Sequence, residues 1–181
     1  MNKLILVRHG QTAWNVLGKK QGQSDIELNA VGEEQAKELG IKLQNAKFDL
    51  VYTSPLKRTK RTAEIILQYN GFGGCVTEDV RIIERDFGEF EGLTDGEFDF
   101  GAFYDINALQ KFERAESAFE VEDRVFEFLD ELKLNQHNKI ILIVGHGAAN
   151  CAVCAYFWGR PKSGKYIDYM QDNAGILEFE L

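Results

Sequence analysis

Three histidines occur in the 181 residues, and two of them close an apolar run and precede a glycine. The first run, Leu4-Ile5-Leu6-Val7, passes into Arg8-His9-Gly10-Gln11-Thr12. The second, Ile140-Ile141-Leu142-Ile143-Val144, passes into Gly145-His146-Gly147. A near-continuous apolar run reads as a strand buried on both faces, so each histidine is expected at the lip of a sheet. Imidazole has the side-chain pKa closest to neutrality and serves as nucleophile, proton carrier or metal ligand. Arg8 adds fixed positive charge beside the first histidine. Gly10 is expected to let the backbone turn and approach a ligand closely.

More cations follow in Leu56-Lys57-Arg58-Thr59-Lys60-Arg61, four of them with no acid between. This run opens a predicted helix, whose N-terminus carries partial positive charge and free N–H groups that favour anions. A phosphate monoester, with about −1.5 to −2 charges at pH 7, is the kind of anion that planar guanidinium forks match better than ammonium groups do. Lys57, Lys60 and Arg61 read more simply as a solvated basic face. Two histidines with a carboxylate could instead ligate a metal, but the arginines would repel a cation. No His-x-x-x-His spacing or clustered carboxylates support that reading, so neither metal nor other cofactor is expected. His137, in Asn135-Gln136-His137-Asn138, reads as solvated loop.

The elements that must position these groups alternate between strand and helix. Residues 4–7 read as the first strand, 12–17 as a short helix and 18–27 as a polar loop. Asn29 is an N-cap for a helix over 30–44, with Val31, Ala36, Leu39 and Leu43 on one face. Residues 50–53 form a second strand. Ser54-Pro55 then marks a helix start, serine as cap and proline at the first helical position, and this helix runs to 69. A short strand is expected over 75–78. Between 81 and 120 the periodicity is poor. An amphipathic helix covers 121–134, a strongly apolar strand 139–144 and a buried helix 148–158. Residues 176–181 alternate apolar and acidic, as a strand near a sheet edge does. The pattern predicts a three-layer α/β/α sandwich with a mostly parallel sheet and the last strand at or near its edge. Ligands of such sheets sit beyond the carboxyl ends of the strands, where His9 and His146 both emerge.

Bulk properties narrow the setting. The length predicts one domain spanning 1–181. A net charge of −8 speaks against a nucleic-acid partner. No apolar stretch approaches the ~20 residues of a membrane span, and a cytoplasmic location is the expectation. Oligomeric state is not legible. Cys75, Cys151 and Cys154 are an odd set, which argues against a disulfide framework. Cys151-x-x-Cys154 lies in the predicted buried helix and reads as a structural pair rather than a redox one.

In combination these motifs resemble the histidine phosphatase superfamily, the phosphoglycerate mutase-like proteins. The resemblance rests on Leu6-Val7-Arg8-His9-Gly10-Gln11-Thr12-Ala13-Trp14-Asn15 and on Gln21-Gly22 with Asp25 and Leu28. It rests equally on Thr53-Ser54-Pro55-Leu56-Lys57-Arg58-Thr59 with Thr62-Ala63, on Glu84-Arg85-x-x-Gly88-x-x-x-Gly92 and on Val144-Gly145-His146-Gly147. It implies His9 as the nucleophile that accepts a phosphoryl group. Arg8 and Arg58 would hold the phosphoryl oxygens, and His146 would donate a hydrogen bond to the same group beside Gly147. Glu84 would be the general acid, with Asp86, Glu89 and Glu91 as neighbouring rivals. Asn15 would be a further pocket donor, with Gln21 and Gly22 in the loop at the entrance; Gln21 also reads as an ordinary polar loop residue. Attack needs an unprotonated ring nitrogen, which neighbouring arginines favour, and the leaving alkoxide needs a proton.

The expected activity is that of a hydrolase, a metal-independent phosphatase acting on a small phosphorylated metabolite through a phosphohistidine. The alternatives are mutase-type phosphoryl transfer and a non-catalytic phospho-ligand binder. Mutases usually have longer insertions around the pocket and a longer C-terminal segment. Two runs depart from the family pattern, Ala148-Ala149-Asn150 and Ala115-Glu116-Ser117, and bear on the pocket wall. The resemblance also implies a variable cap-like segment at about 86–120. Its aromatics Phe98, Phe100, Phe103, Tyr104, Phe112 and Phe119 are expected chiefly to pack a small subdomain. One or two are expected to face the pocket and favour apolar or aromatic leaving groups over sugar phosphates.

Overall fold

The computed structural model describes residues 1–106 and 114–181. The sheet has five strands: β1 (Lys3–Arg8), β2 (Leu50–Thr53), β3 (Val76–Glu78), β4 (Ile140–Gly145) and β5 (Ile176–Glu180), in the order β3-β2-β4-β1-β5. The first four run parallel, and β5 pairs antiparallel with β1 at one edge, as its alternation predicts. Side chains of β1 and β4 alternate between two cores. Leu4, Leu6, Ile141 and Ile143 pack with Val125, Phe128 and Leu129 of α5 (Ala118–Asn135) and Val153 of α6 (Gly147–Trp158). Ile5, Val7, Leu142 and Val144 pack with Leu39 of α2 (Ala30–Lys42) and with Ala63 and Ile66 of α3 (Lys57–Asn70). Helices thus cover both faces of a mostly parallel α/β sheet, and two short helices, α1 (Ala13–Val16) and α4 (Gly101–Tyr104), complete the α-helices of the described residues. No helix among the described residues is long and apolar enough to cross a membrane.

Two helix starts differ from expectation. Helix α3 begins at Lys57, not at Pro55. The Ser54 hydroxyl accepts from the Leu56 N–H at 3.2 Å and meets His146 Nε2 at 2.6 Å, so it forms a turn and braces a neighbour instead of capping. Helix α5 begins three residues earlier than its apolar periodicity suggests. Ser117 accepts from the Glu120 N–H at 3.2 Å, and the Glu120 carboxylate returns to the Ser117 N–H at 2.7 Å. This reciprocal cap is written in the sequence as Ser-x-x-Glu.

Gly10 also has a different purpose from the one expected. It is not in a left-handed conformation; a Cβ there would lie 2.4 Å from the Gly32 carbonyl oxygen, and one on Gly32 would lie 2.1 Å from that of Gln11. The two glycines let the loop after β1 seat against the first turn of α2, which fixes the direction in which His9 leaves the sheet. Gly10→Ala is therefore expected to cost about 1–3 kcal/mol, the scale of overpacking. Urea denaturation measures this, and an unchanged midpoint would contradict the interlock.

Candidate active site

Because β1 and β4 are adjacent and pair Arg8 opposite Gly145, His9 and His146 leave the sheet side by side. The His9 N–H donates to the Gly145 carbonyl at 3.1 Å. The two rings meet edge to face with centroids 5.3 Å apart, and both are buried. Arg58 is brought in by the first turn of α3 and is fully buried.

Donor and acceptor chemistry assigns the protons. His9 Nδ1 lies 2.7 Å from the Gly10 carbonyl, which only accepts, so Nδ1 carries the hydrogen and Nε2 keeps its lone pair. Arg58 Nε lies 3.2 Å from His146 Nδ1; a guanidinium only donates, so this Nδ1 is bare and Nε2–H donates to Ser54. Thr59 Oγ1 in turn donates to the carbonyls of Ser54 and Leu56, leaving the Ser54 proton for Thr59 Oγ1 at 3.0 Å. Burial first, then Arg58, holds both imidazoles well below 6.5. His146 therefore accepts from Arg58 through Nδ1 and donates to Ser54 through Nε2. To donate from Nδ1 it must take up a proton.

Arg58 Nη1 and Nη2 donate to the carbonyls of Ser24 at 2.8 Å and Gly22 at 2.7 Å, so Gly22 fixes the guanidinium. Burial lowers the Arg58 pKa to about 10, which leaves it charged at neutral pH. Arg8 Nη1 donates to the Gln171 carbonyl, while its buried Nε has no partner among the described residues. Asn15 Oδ1 accepts from the Thr12 N–H at 3.0 Å and from Asn173 Nδ2 at 3.2 Å. Gln21 Oε1 accepts from the Thr12 hydroxyl at 2.9 Å. With both carbonyl ends engaged, the amide NH₂ groups of Asn15 and Gln21 are the ends left for a ligand. Arg8, His9, Asn15, Gln21, Gly22, Arg58, Glu84 and Gly147 all line one cavity of about 220 Å³.

Glu84 sits at the N-terminus of α6. Its Oε1 accepts N–H bonds from Arg85 at 2.9 Å, Ala148 at 3.0 Å and Ala149 at 3.1 Å, whereas Oε2 receives only Ala148, at 3.2 Å. The rival acids are used elsewhere: Glu91 holds the N–H groups of Gln23 at 2.7 Å and Ser24 at 2.8 Å, and Asp86 accepts from the Gly88 N–H at 2.6 Å. Glu89 does not line the cavity. No group of three or more His, Cys, Asp or Glu side chains converges among the described residues.

The remaining basic side chains of α3 form a surface face: Lys57 pairs with Glu27 at 3.0 Å, Lys60 with Glu78 at 3.3 Å and Arg61 with Glu33 at 2.8 Å. Cys151 and Cys154 are buried in different clusters, and burial pushes both thiols up, Cys154 to about 12. Neither is prepared for redox chemistry. Among the aromatics, Phe98, Phe100 and Phe103 pack with Phe87 and Phe90 in a small core. Phe119 lies under Arg160, and Tyr104 lines the cavity. Phe112 lies outside the described residues.

With this arrangement in view, likeness to known proteins decides the family. The sequence profile of the histidine phosphatase superfamily (branch 1) matches residues 4–181. The chain belongs to that superfamily. It is similar to PhoE of Bacillus subtilis, an uncharacterised phosphatase, with 42% identity over 82% of this chain and 74% of the relative. It is similar to phosphoserine phosphatase 1 of Hydrogenobacter thermophilus, with 34% identity over 96% of this chain and 84% of the relative. Its fold matches that of YhfR from Bacillus stearothermophilus with a TM-score of 0.88, at 26% identity, over all of this chain and 92% of the other. This superfamily member is an enzyme of the phosphatase and mutase kind.

Several residues of the site lay beyond sequence reasoning. Gln171 and Asn173 belong to the loop before β5. Gln171 holds Arg8 through its carbonyl, and its side chain receives Asn150 Nδ2 at 2.6 Å. Asn150, a departure from the family pattern, thus acts on Arg8 through Gln171. Ser54 orients His146, and the Thr62 hydroxyl accepts from the Gly10 N–H at 3.1 Å.

A neutral imidazole pair has a testable signature in stability. Both rings titrate near 6.5 when unfolded and lower when folded, so below 6.5 the unfolded chain binds more protons and stability falls as the pH is lowered. Each ring contributes a slope of at most about 1.4 kcal/mol per pH unit. Denaturation series between pH 7.5 and 5 measure it, and ¹⁵N shifts should report Nδ1–H for His9 and Nε2–H for His146. Greater stability on acidification, or one shared tautomer, would contradict the assignment.

Proposed function

We propose that this chain is a phosphatase that hydrolyses a small phosphomonoester through a phosphohistidine at His9, without a metal. The observation that carries the reading is His9 Nδ1 set 2.7 Å from the Gly10 carbonyl. The Nδ1 proton is committed to Gly10, and the lone pair of Nε2 is kept available among cationic N–H donors.

In the first step Nε2 attacks phosphorus, the P–N bond forms and the ester P–O bond breaks. The leaving oxygen takes a proton from Glu84, whose Oε2, with one weak N–H bond, is the atom free to carry it. Arg8, Arg58, Asn15 and Gln21 bind the phosphoryl oxygens as charge shifts among them, a stabilisation that needs no reorganisation. When a monoanionic phosphoryl group arrives, Arg58 Nε is drawn toward its oxygens and His146 Nδ1 takes the group's own remaining proton, donates it back as a hydrogen bond with Ser54 accepting from Nε2, and returns it when phosphate leaves. In the second step water attacks phosphorus, gives its proton to Glu84, and the P–N bond breaks to release phosphate. The net change is ester and water to alcohol and phosphate, and Glu84 returns to its starting state.

The segment at about 86–120 acts as a cap within a single domain over 1–181, a reading supported by Phe87, Asp95 and Tyr104 on the cavity wall. Three free cysteines are consistent with work in the cytoplasm.

Loss of His9 to Ala is expected to reduce turnover by at least about 10³-fold, the scale on which catalytic triads fail when a member is removed. Glu84→Gln is expected to cost about 10²–10⁴-fold on alkyl phosphates and less on an aryl phosphate, whose leaving oxygen hardly needs a proton. Steady-state assays in excess EDTA test both. A strict demand for added divalent metal, or phosphoglycerate interconversion that outpaces hydrolysis once primed, would overturn the phosphatase reading.

A further inference from the structure

Arg58 is held by the carbonyls of Gly22 and Ser24, and the loop that carries them is held in turn by one carboxylate. Glu91 Oε1 accepts from the Gln23 N–H at 2.7 Å, and Oε2 accepts from the Ser24 N–H at 2.8 Å and from the Ser24 hydroxyl. The Gly22 carbonyl and the Gln23 N–H are the two ends of one planar peptide group. Arg58 Nη2, 2.7 Å from that carbonyl oxygen, is therefore joined to Glu91 Oε1 through a single rigid unit. A Cβ on residue 22 would lie 1.9 Å from Glu91 Oε1, so a glycine is what lets the carboxylate close on the loop.

The carboxylate is itself fixed from both sides. Phe90 before it packs against Phe98 and Phe103, with ring centres 4.5 Å and 5.4 Å apart. The Glu91 N–H donates to the Gly88 carbonyl at 3.2 Å, and the Gly92 N–H after it donates to the Lys20 carbonyl at 2.8 Å. A direct ion pair with Arg58 would offset the guanidinium charge and occupy N–H groups that a phosphoryl oxygen needs. Hydrogen bonds linked across a peptide polarise one another, so the relay orients the fork and strengthens its acceptors while the cation stays unneutralised. An amide in place of the carboxylate would turn an NH₂ group toward N–H donors, which loosens the loop without leaving a hole.

Resting on the phosphatase reading above, we propose that Glu91 is a positioning residue for Arg58, holding loop 22–24 so that the guanidinium is aimed at the phosphoryl group. Glu91 touches no reacting atom and acts only through the peptide groups of the loop.

Glu91→Gln and Ser24→Ala in the intact chain test this with three readouts. These are kcat/KM for p-nitrophenyl phosphate, the calorimetric affinity for orthovanadate, and the water-exchange rate of the Arg58 Nε–H by ¹H–¹⁵N NMR. The Nε–H of Arg124, which has its own partner in Glu116 at 2.6 Å, is the internal reference. Glu91→Gln is expected to lower kcat/KM and orthovanadate affinity about tenfold and to speed Arg58 exchange at least about fivefold, with Arg124 unchanged. Ser24→Ala removes only the hydroxyl contact; it should move the same readouts about threefold and decides the matter should Glu91→Gln not fold. Unchanged Arg58 exchange in a folded variant overturns the proposal, as does faster exchange with no loss of orthovanadate affinity. Equal acceleration of Arg124 also overturns it, because Glu91 would then serve general stability alone. A normal response of the unaltered chain to p-nitrophenyl phosphate beside any of these results leaves the phosphatase reading standing. No turnover by the unaltered chain removes that reading, while orthovanadate affinity and Arg58 exchange still decide the role of Glu91; failure to bind orthovanadate as well removes both.

Discussion

The structure depends on one pairing, β1 beside β4 in parallel with Arg8 opposite Gly145. Parallel neighbours deliver their carboxyl ends to the same rim, so two histidines more than 130 positions apart become adjacent without a loop having to carry either. Each follows an apolar strand with cores on both faces, and its backbone cannot drift. That rigidity matters because phosphoryl transfer is largely a matter of positioning and fixed charge.

The electrostatics follow from this placement. Burial makes protonation of the two imidazoles unfavourable, and the guanidinium groups beside them add to the effect. The cations themselves are held by carbonyl oxygens, those of Gln171 for Arg8 and of Ser24 and Gly22 for Arg58. Neutral acceptors orient an arginine without cancelling its charge, which leaves the cradle net positive for an incoming anion. Glu84 is kept slightly apart, tied to the start of α6 by N–H donors.

The aromatic-rich segment after Glu84 follows a different logic. Phe87, Phe90, Phe98, Phe100 and Phe103 form a core of their own, and Arg85 binds it to the site: its guanidinium lies 4.9 Å from the Phe103 ring and donates to the Glu116 carbonyl at 2.6 Å. Glu116 in turn pairs with Arg124 of α5 at 2.6 Å. The run Ala115-Glu116-Ser117 thus joins this aromatic core to the sandwich, with Ser117 capping α5. Among the described residues of this segment, aromatic contacts and isolated turns take the place of a repeating register, which accounts for the poor periodicity.

The sequence by itself determined the alternation of strands and helices, the emergence of His9 and His146 at strand ends, and the cation at the start of α3. Period-two and period-3.6 patterns and apolar runs are local properties, and residue order carries them. Only the tertiary structure decided which nitrogen of each histidine bears the proton, that Ser54 supports His146 rather than capping α3, and that Gly10 serves a backbone crossing. It alone joined Gln171 and Asn150 to Arg8 and set Glu91 against the N–H groups of Gln23 and Ser24. These are partnerships between residues far apart in the chain, made by donors and acceptors that leave no periodic trace. They exist only once folding has removed water and left each buried polar group to find a partner.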